Sequence, residues 1–539
     1  IRRQRQMCIR DRSGLESRYE DVLRGTEGSY LRQVDARNRQ LDGTEGWYIP
    51  SQQGCGLVLT IDAEIQEMVE KAMRECIEVN QAQSVICLVS DVKTGAILAM
   101  CMNPCYDPND PPRNDAETLT ELMRLTAISD VYEPGSTFKI LTAASALDSG
   151  VTTPQDSFYC SAKITVDGDT IRCWGRPHGA ETMADGLKNS CNPVFVELAL
   201  RMGTDTFYRY LTAFGLGKKT GIDLPGESPG ILITSRNVKR VDLARIGFGQ
   251  SVALTPIQMM MAANPVINGG KLMKPYIVSE IQTPDGETLE RFHPTVMAAP
   301  IRPETSDTMR LLLERVVSEG GGKNAAIAGY RIGGKTGTAQ VYKNGRVVRD
   351  THIGSFYGFA PVNDPQVSIL VIVKEADVPI DYGGTTAAPF ARQIMQEMLP
   401  YLGIDPENDE KDEEIEVPAL KGLTIGDAKR KLSQVGLESV TDGANTVVLD
   451  QLPPAGAKLV KGGRVMLYTA GSEELTPEEL VCVPDLTGLG DVDCARLVRQ
   501  RGLMMSMTGQ GLCTEQSPAA GEYVQPGTTI FLLMAGDDE

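Results

Sequence analysis

Two stretches near the start of the chain have the hydrophobic spacing of regular elements. From Asp62 to Val79, apolar residues recur at helical spacing, which predicts a helix capped at its N-terminus by the aspartate. Ser84 to Met100 holds two apolar runs on either side of Lys93-Thr94-Gly95, a pattern that predicts a β-hairpin. The first part of the chain is therefore predicted to combine a helix with paired strands.

The central part of the chain has further helix and strand patterns. Ser136 to Leu147 has helical periodicity directly after Pro134-Gly135, which places Ser136 at the N-terminus of the predicted helix. A second helical pattern covers Ala387 to Leu399. Short turns join three strand patterns that are predicted to form an antiparallel sheet: Tyr330 to Val348, His352 to Ala360 and Gln366 to Lys374.

The C-terminal part of the chain contains an internal repeat with a period of about 66 residues. The repeat begins after the acidic segment Asp405 to Glu416, which is predicted to be an exposed linker. The matching segments are Val417 to Gly422 with Val483 to Gly488, Gly436-Leu437 with Gly502-Leu503, and Pro454 to Gly456 with Pro518 to Gly521. Two copies of one small α+β module are predicted, and the whole chain is assigned to a multidomain α+β class.

Composition and charge exclude several classes of protein. The 539 residues include 53 lysines and arginines against 71 aspartates and glutamates, and the formal charge of -18 disfavours a nucleic-acid partner. The longest apolar run, Ala96 to Met102, is far shorter than the roughly 20 residues that span a bilayer. Residues 1–12 are rich in arginine without an apolar core, so they are set aside as a non-native leader.

The cysteines and histidines do not indicate a disulfide framework, a metal site or a histidine triad. The 12 cysteines are spread along the chain. Cys160 and Cys173 flank the turn sequence Asp167-Gly168 and are expected to lie near each other, with free thiols favoured over a disulfide. Cys101 and Cys105 lack a second ligand pair, so zinc is not supported there. The three histidines lack an accompanying Gly-x-Ser-x-Gly elbow.

Ser136-Thr137-Phe138-Lys139 is the first candidate for nucleophilic chemistry. Positions i and i+3 share a helix face, so the Lys139 amine is predicted to lie beside the Ser136 hydroxyl. A buried lysine that loses its proton is able to deprotonate the serine, and a helix N-terminus favours the developing negative charge. The motif alone carries little weight, because about two Ser-x-x-Lys matches are expected by chance in such a chain.

Ser190-Cys191-Asn192 is the second candidate. It is predicted to lie on a loop after an amphipathic helix that ends at Lys188-Asn189. There the Ser190 hydroxyl is suited to relaying a proton and the Asn192 amide to holding a substrate carbonyl. Ser235-Arg236-Asn237 has the same spacing, so spacing alone does not distinguish a functional motif from a solvated turn.

Lys-Thr-Gly occurs at Lys93, Lys219 and Lys335, and the surrounding pattern favours the third. The first lies at a predicted hairpin tip and the second in a glycine-rich loop. Lys335-Thr336-Gly337-Thr338 lies inside a strand pattern, where Gly337 lets a substrate backbone approach and the lysine and threonines suit a carboxylate. Gly329 to Thr336 also has P-loop spacing, but the helix that a P-loop requires is not predicted.

Taken in order, the three motifs resemble those of the penicillin-recognising serine enzymes. The C-terminal repeats resemble PASTA domains. This resemblance implies a penicillin-binding transpeptidase fold, with a five-stranded antiparallel sheet flanked by helices, and a peptidoglycan D,D-transpeptidase of division or sporulation type. The segments similar to class B penicillin-binding proteins are Glu133 to Lys139, Lys188 to Pro193, Gly247 to Gln250 with Thr255-Pro256, and Gly334 to Gln340.

The same resemblance implies a domain order, in which a pedestal, or dimerisation, domain precedes the transpeptidase domain. Gly25 to Gly28 with Val34 to Ala36 looks like the final portion of that pedestal. The chain is expected to act at the extracytoplasmic face of a bacterial cell membrane, anchored by an N-terminal segment that this sequence lacks. The expected boundaries are 1–12 leader, 13–56 pedestal remnant, 57–403 transpeptidase domain, 404–416 linker, 417–470 first PASTA repeat, 471–480 spacer and 481–536 second PASTA repeat.

The activity implied by the resemblance is a two-step acyl transfer. Ser136 attacks the carbonyl of a donor stem peptide that ends in D-Ala-D-Ala, D-Ala leaves, and the acyl group passes to an acceptor amine. Lys139 is the implied base, helped by Ser190, and Asn192 binds the donor amide. Lys335 is counted with these catalytic residues. The groups implied to receive the terminal carboxylate are Lys335, Thr336, Gly337 and Thr338.

The resemblance also implies partners and leaves alternatives open. The backbone N–H groups of Ser136 and Thr338 would form an oxyanion hole, β-lactams would acylate Ser136, a glycosyltransferase would be a partner, and no cofactor is implied. A class D-like β-lactamase and a non-catalytic sensor of β-lactams or muropeptides remain as rivals. The sequence does not decide whether the PASTA repeats bind muropeptides, β-lactams or a protein, or act only as spacers, nor whether the role is vegetative or sporulation-specific.

Overall fold

The computed structural model describes most of the chain and omits the expected leader, 1–12, and the expected spacer, 471–480. The described residues are 13–31, 37, 47–175, 177–343, 346–406, 415–442, 447–459, 463–469, 481–509, 511–521, 523–524 and 528–535. Most of the predicted acidic linker, at 407–414, also lies outside them. The described residues divide into two compact units. One extends up to residue 406, except that Leu147–Ser157 and Pro303–Thr308 group with the C-terminal unit.

A five-stranded sheet is the centre of the first unit, as the resemblance implied. Its strands are β1 (Ser84–Asp91), β2 (Ile97–Asn103), β3 (Gly333–Lys343), β4 (Arg346–Ala360) and β5 (Val367–Lys374). The spatial order is β3-β4-β5-β1-β2, and every neighbouring pair is antiparallel. The predicted β1–β2 hairpin is confirmed.

One predicted strand boundary is wrong. The sequence pattern separated a strand ending at Val348 from another over His352 to Ala360, but β4 runs without interruption from Arg346 to Ala360. The pairing with β3 does change at this place: the neighbouring residues Gln340 and Val341 pair with His352 and Val348, so the register skips 349–351 of β4. Pairing with β5 begins only at Ile353, and the predicted break therefore corresponds to a bulge inside one continuous strand.

Helices cover this sheet. Helix α1 (Ala63–Asn80) confirms the first helix prediction, and the Asp62 side chain caps it by accepting hydrogen bonds from the backbone N–H groups of Glu64 and Ile65. Its buried face packs in one core cluster with the C-terminal helix of the unit, Ala388–Tyr401, and with side chains of β1, β4 and β5. The spacing of apolar residues along α1 thus matches the face that it buries.

The second predicted helix is confirmed with one difference at its start. Gly135–Phe138 forms a 3-10 turn, and helix α2 begins at Lys139 and ends at Asp148. Gly135 has a φ of 54°, a left-handed conformation that does not belong to an α-helix. The chain therefore passes through the tighter 3-10 turn before the helix begins. This arrangement puts Ser136 in the turn and Lys139 at the first position of the helix.

The remaining elements of the first unit surround this centre. The other helices are Gly14–Arg18, Glu20–Leu23, Ala116–Leu122, Thr126–Ser129, α3 (Met183–Lys188), α4 (Asn192–Ala213, kinked at Gly203), Arg240–Ile246, Pro256–Ala263, Pro303–Ser318 and Gly383–Thr386, with 3-10 turns at Asn264–Val266 and Lys323–Ala325. Small sheets pair Ser29–Leu31 with Trp47–Ile49, Ser157–Cys160 with Gly179–Thr182, Lys163–Val166 with Asp169–Arg172, Ile231–Leu232 with Val252–Ala253, and Leu272–Met273 with Val296–Ala298, and join Gly56–Leu59, Val278–Gln282 and Thr288–Arg291. Within the described residues, no helix has the length and apolar content that crossing a bilayer requires.

The two C-terminal modules have the same sequence of elements, so the predicted duplication is confirmed. The first contains Ile415–Glu416, helix Ile425–Gln434, Glu438–Asp442, Asp450–Leu452, Lys458–Leu459 and Arg464–Tyr468. The second contains Val481–Cys482, helix Asp491–Gln500, Met504–Gly509, Leu512–Ser517, Tyr523–Val524 and Thr529–Ala535. In each module the last strand lies in the middle of a three-stranded sheet, parallel to one neighbour and antiparallel to the other.

A glutamine at the same place in each module ties the repeated Val-Pro segment to the sheet. Gln451 accepts a hydrogen bond from the Leu420 backbone N–H at 2.7 Å and donates to the Pro418 carbonyl at 3.0 Å. Gln516 makes the corresponding bonds to Leu486 and Pro484, at 2.7 and 3.0 Å. The repeat is thus preserved in hydrogen bonds as well as in strand order.

Candidate active site

A cleft in the first unit brings the three sequence motifs together. It encloses about 770 Å³. The motif residues that line it are Ser136, Ser190, Asn192, Thr336 and Thr338. The 3-10 turn before α2, the loop between α3 and α4, and strand β3 all border the cleft. Residues that are about 200 positions apart in the sequence therefore line the same cavity.

The turn that carries Ser136 is held on both sides by backbone contacts. The Gly135 N–H donates a hydrogen bond to the Gly249 carbonyl at 3.1 Å, and the Thr137 hydroxyl donates to the Pro134 carbonyl at 2.7 Å. A Cβ at Gly249 would lie 2.0 Å from the Gly135 carbonyl oxygen, and one at Gly135 would lie 2.6 Å from the Thr338 carbonyl oxygen. The nucleophile turn is therefore packed between two backbones at distances that only glycine permits.

Gly337 has a different role from the one that its sequence pattern suggested. We expected its missing side chain to admit a substrate backbone. In the structure, a Cβ at Gly337 would lie 2.4 Å from the Ser355 hydroxyl oxygen and 3.0 Å from the Pro134 carbonyl oxygen. Gly337 is therefore required for the close approach of β3 to the turn that carries Ser136.

Lys139 is fully buried and makes hydrogen bonds to the second motif. Its ammonium nitrogen lies 2.6 Å from the Ser190 carbonyl oxygen, 2.7 Å from Asn192 Oδ1 and 3.2 Å from Ser190 Oγ. Burial lowers the pKa of Lys139 from its ordinary value to about 7, although the nearby thiols of Cys191 and Cys173 act in the opposite direction. Near neutral pH, an appreciable fraction of this amine is therefore unprotonated.

The second motif spans the junction of two helices. Ser190 lies on the loop between α3 and α4, as predicted, and has a φ of 56°, which is unusual for a residue with a side chain. Asn192 does not lie on the loop as expected. It is the first residue of α4, and its side-chain amide donates to the Arg172 carbonyl at 2.9 Å. The Asn192 side chain thus connects Lys139 to the small sheets of residues 157–182.

The third motif lies within β3, as predicted, which also confirms that no P-loop helix follows Lys335. Burial alternates along the strand: Thr336 and Thr338 face the cleft, whereas the Lys335 side chain is only 1% exposed and does not line it. Burial and the positive charge of Lys139 both hold the pKa of Lys335 well below its ordinary value. Lys335 donates a hydrogen bond to the Thr336 carbonyl at 3.0 Å.

Several residues of the cleft were not candidate site residues in the sequence. They are Trp174, His178, Phe248, Gln250, His352 and Tyr382. Phe248 and Gln250 belong to the segment Gly247 to Gln250 that contributed to the family resemblance. His352 lies on β4, and its Nδ1 is 2.9 Å from both carboxylate oxygens of Asp381. The other residues belong to none of the three motifs, and only the folded chain brings them to the cleft.

A comparison with protein-family models gives two matches. Residues 85–396 match the family described as "Penicillin binding protein transpeptidase domain". Residues 415–471 and 481–536 each match the PASTA domain.

Relatives of known name span much of the chain. The chain is 37% identical over 472 residues to "Stage V sporulation protein D" of Bacillus subtilis, covering 86% of this chain and 72% of that protein. It is 29% identical over 395 residues to "Peptidoglycan D,D-transpeptidase FtsI" of Escherichia coli, covering 73% of this chain and 64% of that protein.

Solved structures of penicillin-binding proteins also match this chain. Penicillin binding protein 3 of Mycobacterium tuberculosis, complexed with ampicillin, matches with a TM-score of 0.66 and 28% identity, over 74% of this chain and 86% of that one. Penicillin Binding Protein 2X of Streptococcus thermophilus matches with a TM-score of 0.65 over 97% of this chain and 78% of that one. At 21% identity, the latter likeness concerns the fold alone.

Proposed function

The chain belongs to the penicillin-binding protein transpeptidase family, and on this premise we propose that it cross-links peptidoglycan stem peptides through an acyl-enzyme on Ser136. The observation that carries the proposal is the geometry at Lys139. A buried amine with a pKa of about 7 begins the helix that follows the Ser136 turn and contacts both polar residues of the second motif. Such an amine meets the requirement of a base that activates a serine.

Acylation begins with transfer of the Ser136 proton to the neutral Lys139 amine. That amine has two N–H groups, and the two shortest contacts, to the Ser190 carbonyl and Asn192 Oδ1, use both of them. The nitrogen lone pair is left for the serine proton. As the serine oxygen bonds to the donor carbonyl carbon, the bond to the terminal D-Ala breaks, and the leaving amine receives a proton through Lys139 and Ser190. An acceptor amine then attacks the ester carbonyl carbon, the bond to the Ser136 oxygen breaks, and a proton of the acceptor amine passes through Lys139 to that oxygen, which leaves an amide cross-link and free Ser136.

The remaining motif residues bind the donor. Thr336 and Thr338 face the cleft and are suited to the terminal carboxylate, with the Lys335 amine buried behind them. The backbone N–H groups of Ser136 and Thr338 would stabilise the tetrahedral oxyanion, an effect typically worth about 3 kcal/mol for each donor. Asn192, which also lines the cleft, would hold the donor amide.

The named relatives and the expected domain order add a substrate class, a location and a partner to the proposed function. The E. coli relative is named a peptidoglycan D,D-transpeptidase, and the M. tuberculosis relative was solved with ampicillin, so we infer the same substrate class and β-lactam binding here. We propose the domain order that is expected from the sequence, which extends from the pedestal remnant at 13–56 to the second PASTA repeat at 481–536. An extracytoplasmic location, a membrane anchor and a glycosyltransferase partner are part of the same proposal.

The test of the function is transfer of a donor acyl group to an amine. The full chain is incubated with a synthetic stem pentapeptide donor and an amine acceptor, and D-Ala release and the cross-linked product are measured by liquid chromatography. We expect both in the wild type and neither in Ser136→Ala, because the variant lacks the hydroxyl that is proposed to form the ester. Ser235→Ala, which alters the exposed Ser-x-Asn triplet, is the matched control and should retain the wild-type rate.

The same experiment separates the two rivals. A β-lactamase would hydrolyse a penicillin with many turnovers and form no cross-linked product. A sensor would retain a stable adduct on Ser136 without transferring any stem peptide. Either result would contradict the proposed transpeptidase function.

The rate of Ser136 acylation by a penicillin is expected to rise with pH through about 7 and then level off. Burial lowers the pKa of Lys139 to about 7, so raising the pH increases the fraction of the neutral amine that acts as the base. The second-order acylation constant is measured by stopped flow from about two pH units below this value to about two above it. A profile that is flat or falls across this range would contradict the assignment of Lys139 as the base.

A further inference from the structure

Four potential metal ligands form a cluster beside the second motif. They are Cys160, Cys173, His178 and Cys191, and their ligand atoms all lie within 4.8 Å of one another. Cys160 ends one small strand, Cys173 and His178 lie in the connection between two others, and Cys191 precedes α4. The sequence predicted only that Cys160 and Cys173 would be close, which is confirmed. The pair considered for zinc, Cys101 and Cys105, is not part of this cluster.

The spacing of the four side chains suits a tetrahedral ion. In a zinc site, Zn–S distances of about 2.3 Å put neighbouring sulfur ligands about 3.8 Å apart. Cys173 Sγ already lies 3.9 Å from His178 Nδ1, and the largest separation in the cluster needs to shorten by only about 1 Å. Cys160 and Cys191 are fully buried and Cys173 is 9% exposed, whereas the fourth ligand, His178, is partly exposed and lines the cleft.

The charges around the cluster also favour a cation. Glu181 is buried, and its Oε1 lies 3.6 Å from His178 Nδ1 without accepting a hydrogen bond from any described residue. A buried carboxylate oxygen without a partner costs about 1–3 kcal/mol, and a dication held by neighbouring thiolates would offset that cost.

We propose that Cys160, Cys173, His178 and Cys191 bind one zinc ion. Three thiolates and an imidazole form a soft ligand set that suits zinc better than magnesium or calcium, which require oxygen ligands. With four protein ligands the coordination is complete, so the ion has a structural role and does not contact the substrate. Binding releases the thiol protons of the three cysteines.

The zinc ion would fix the second motif to the small sheets of residues 157–182. Cys191 lies between Ser190 and Asn192, the two residues that contact Lys139, and Asn192 also bonds to Arg172 on the same sheets. The ion would thus help to hold Ser190 in its left-handed conformation. This consequence for acylation rests on the proposed function, whereas zinc binding itself does not.

Zinc content of the full chain tests the proposal. The protein is purified under reducing conditions without chelator, exchanged into metal-free buffer, and measured by inductively coupled plasma mass spectrometry. We expect one zinc per chain in the wild type and a loss of about tenfold or more in Cys160→Ser and Cys173→Ser. Cys101→Ser, which removes a buried thiol of β2 outside the cluster, should retain one zinc per chain.

A second measurement keeps the test valid if the variants fold poorly. Cobalt(II) added to metal-free wild-type protein should produce thiolate charge-transfer absorption and the visible bands of a tetrahedral site, and zinc should displace it. Absence of stoichiometric zinc with fully reduced thiols, a disulfide among the three cysteines in the reduced protein, or zinc retained in both serine variants would overturn the proposal. Loss of transpeptidation with zinc content intact would instead contradict only the proposed function.

Discussion

Lys139→Met should slow acylation of Ser136 by a penicillin about 10²–10⁴-fold, the range that a positioned general base supplies. Methionine fills a similar volume next to Phe195, but it has no nitrogen to accept the serine proton. It also leaves the Ser190 carbonyl and Asn192 Oδ1 without the donor that they share. The second-order acylation constant, measured with a fluorescent penicillin, should fall steeply, and its dependence on pH near 7 should disappear.

Lys93→Met is the matched control for this substitution. Lys93 begins another Lys-Thr-Gly triplet, but it lies in the exposed turn between β1 and β2, where its amine pairs with Asp364 at 2.7 Å. Exposed pairs contribute about 0–1 kcal/mol, so acylation should stay within about twofold of wild type. An acylation constant for Lys139→Met within tenfold of wild type, in a protein that unfolds at the wild-type temperature, would contradict the assigned role.

Gly249→Ala should destabilise the protein by about 3 kcal/mol or more and lower acylation together with stability. Gly249 has a φ of 84°, and the new Cβ would lie 2.0 Å from the Gly135 carbonyl oxygen and 2.7 Å from Phe138 Cβ. Neither neighbour is the end of a flexible side chain, so the turn that carries Ser136 must move. A displacement of about 1 Å is enough to cost about 10²-fold in rate.

Gly286→Ala tests the effect of a positive φ alone, without the steric clash that a Cβ at Gly249 would cause. Gly286 has the same φ of 84°, but a Cβ there meets no atom within 4 Å. This variant should lose only about 1 kcal/mol, from backbone strain, and acylate at the wild-type rate. Thermal unfolding and acylation are measured for both variants. Equal effects at the two glycines would contradict the view that packing against Gly135 positions the nucleophile.

The sequence was most informative where short-range patterns decide the structure. The cap at Asp62 and the hairpin around Lys93-Thr94-Gly95 depend on neighbouring residues, and both predictions are confirmed. The helix after Pro134-Gly135 is also present, but it begins at Lys139 instead of Ser136. The Asp167-Gly168 turn, with both residues at positive φ, is another example. Local chemistry also identified Ser136, Lys139, Ser190 and Asn192 as candidates, and the structure places them together.

Long-range packing accounts for what the sequence did not show. The reason for a glycine at position 337 lies in Pro134 and Ser355, which are distant in the chain. The aromatic and histidine residues of the cleft, such as Trp174 and His352, come from parts of the chain that are far apart in sequence. The approach of Cys191 to Cys160 and Cys173 depends on how α4 packs against the small sheets, and no spacing rule for metal ligands predicts it.

The most direct test of the whole account is the position of a covalent adduct. Full-length protein is incubated with a penicillin, digested, and analysed by tandem mass spectrometry. One penicilloyl group per chain on the peptide that contains Ser136, absent from the Ser136→Ala digest, is the predicted result. No adduct, or an adduct on Ser190 or any other residue, would contradict the assignment of Ser136 as the nucleophile.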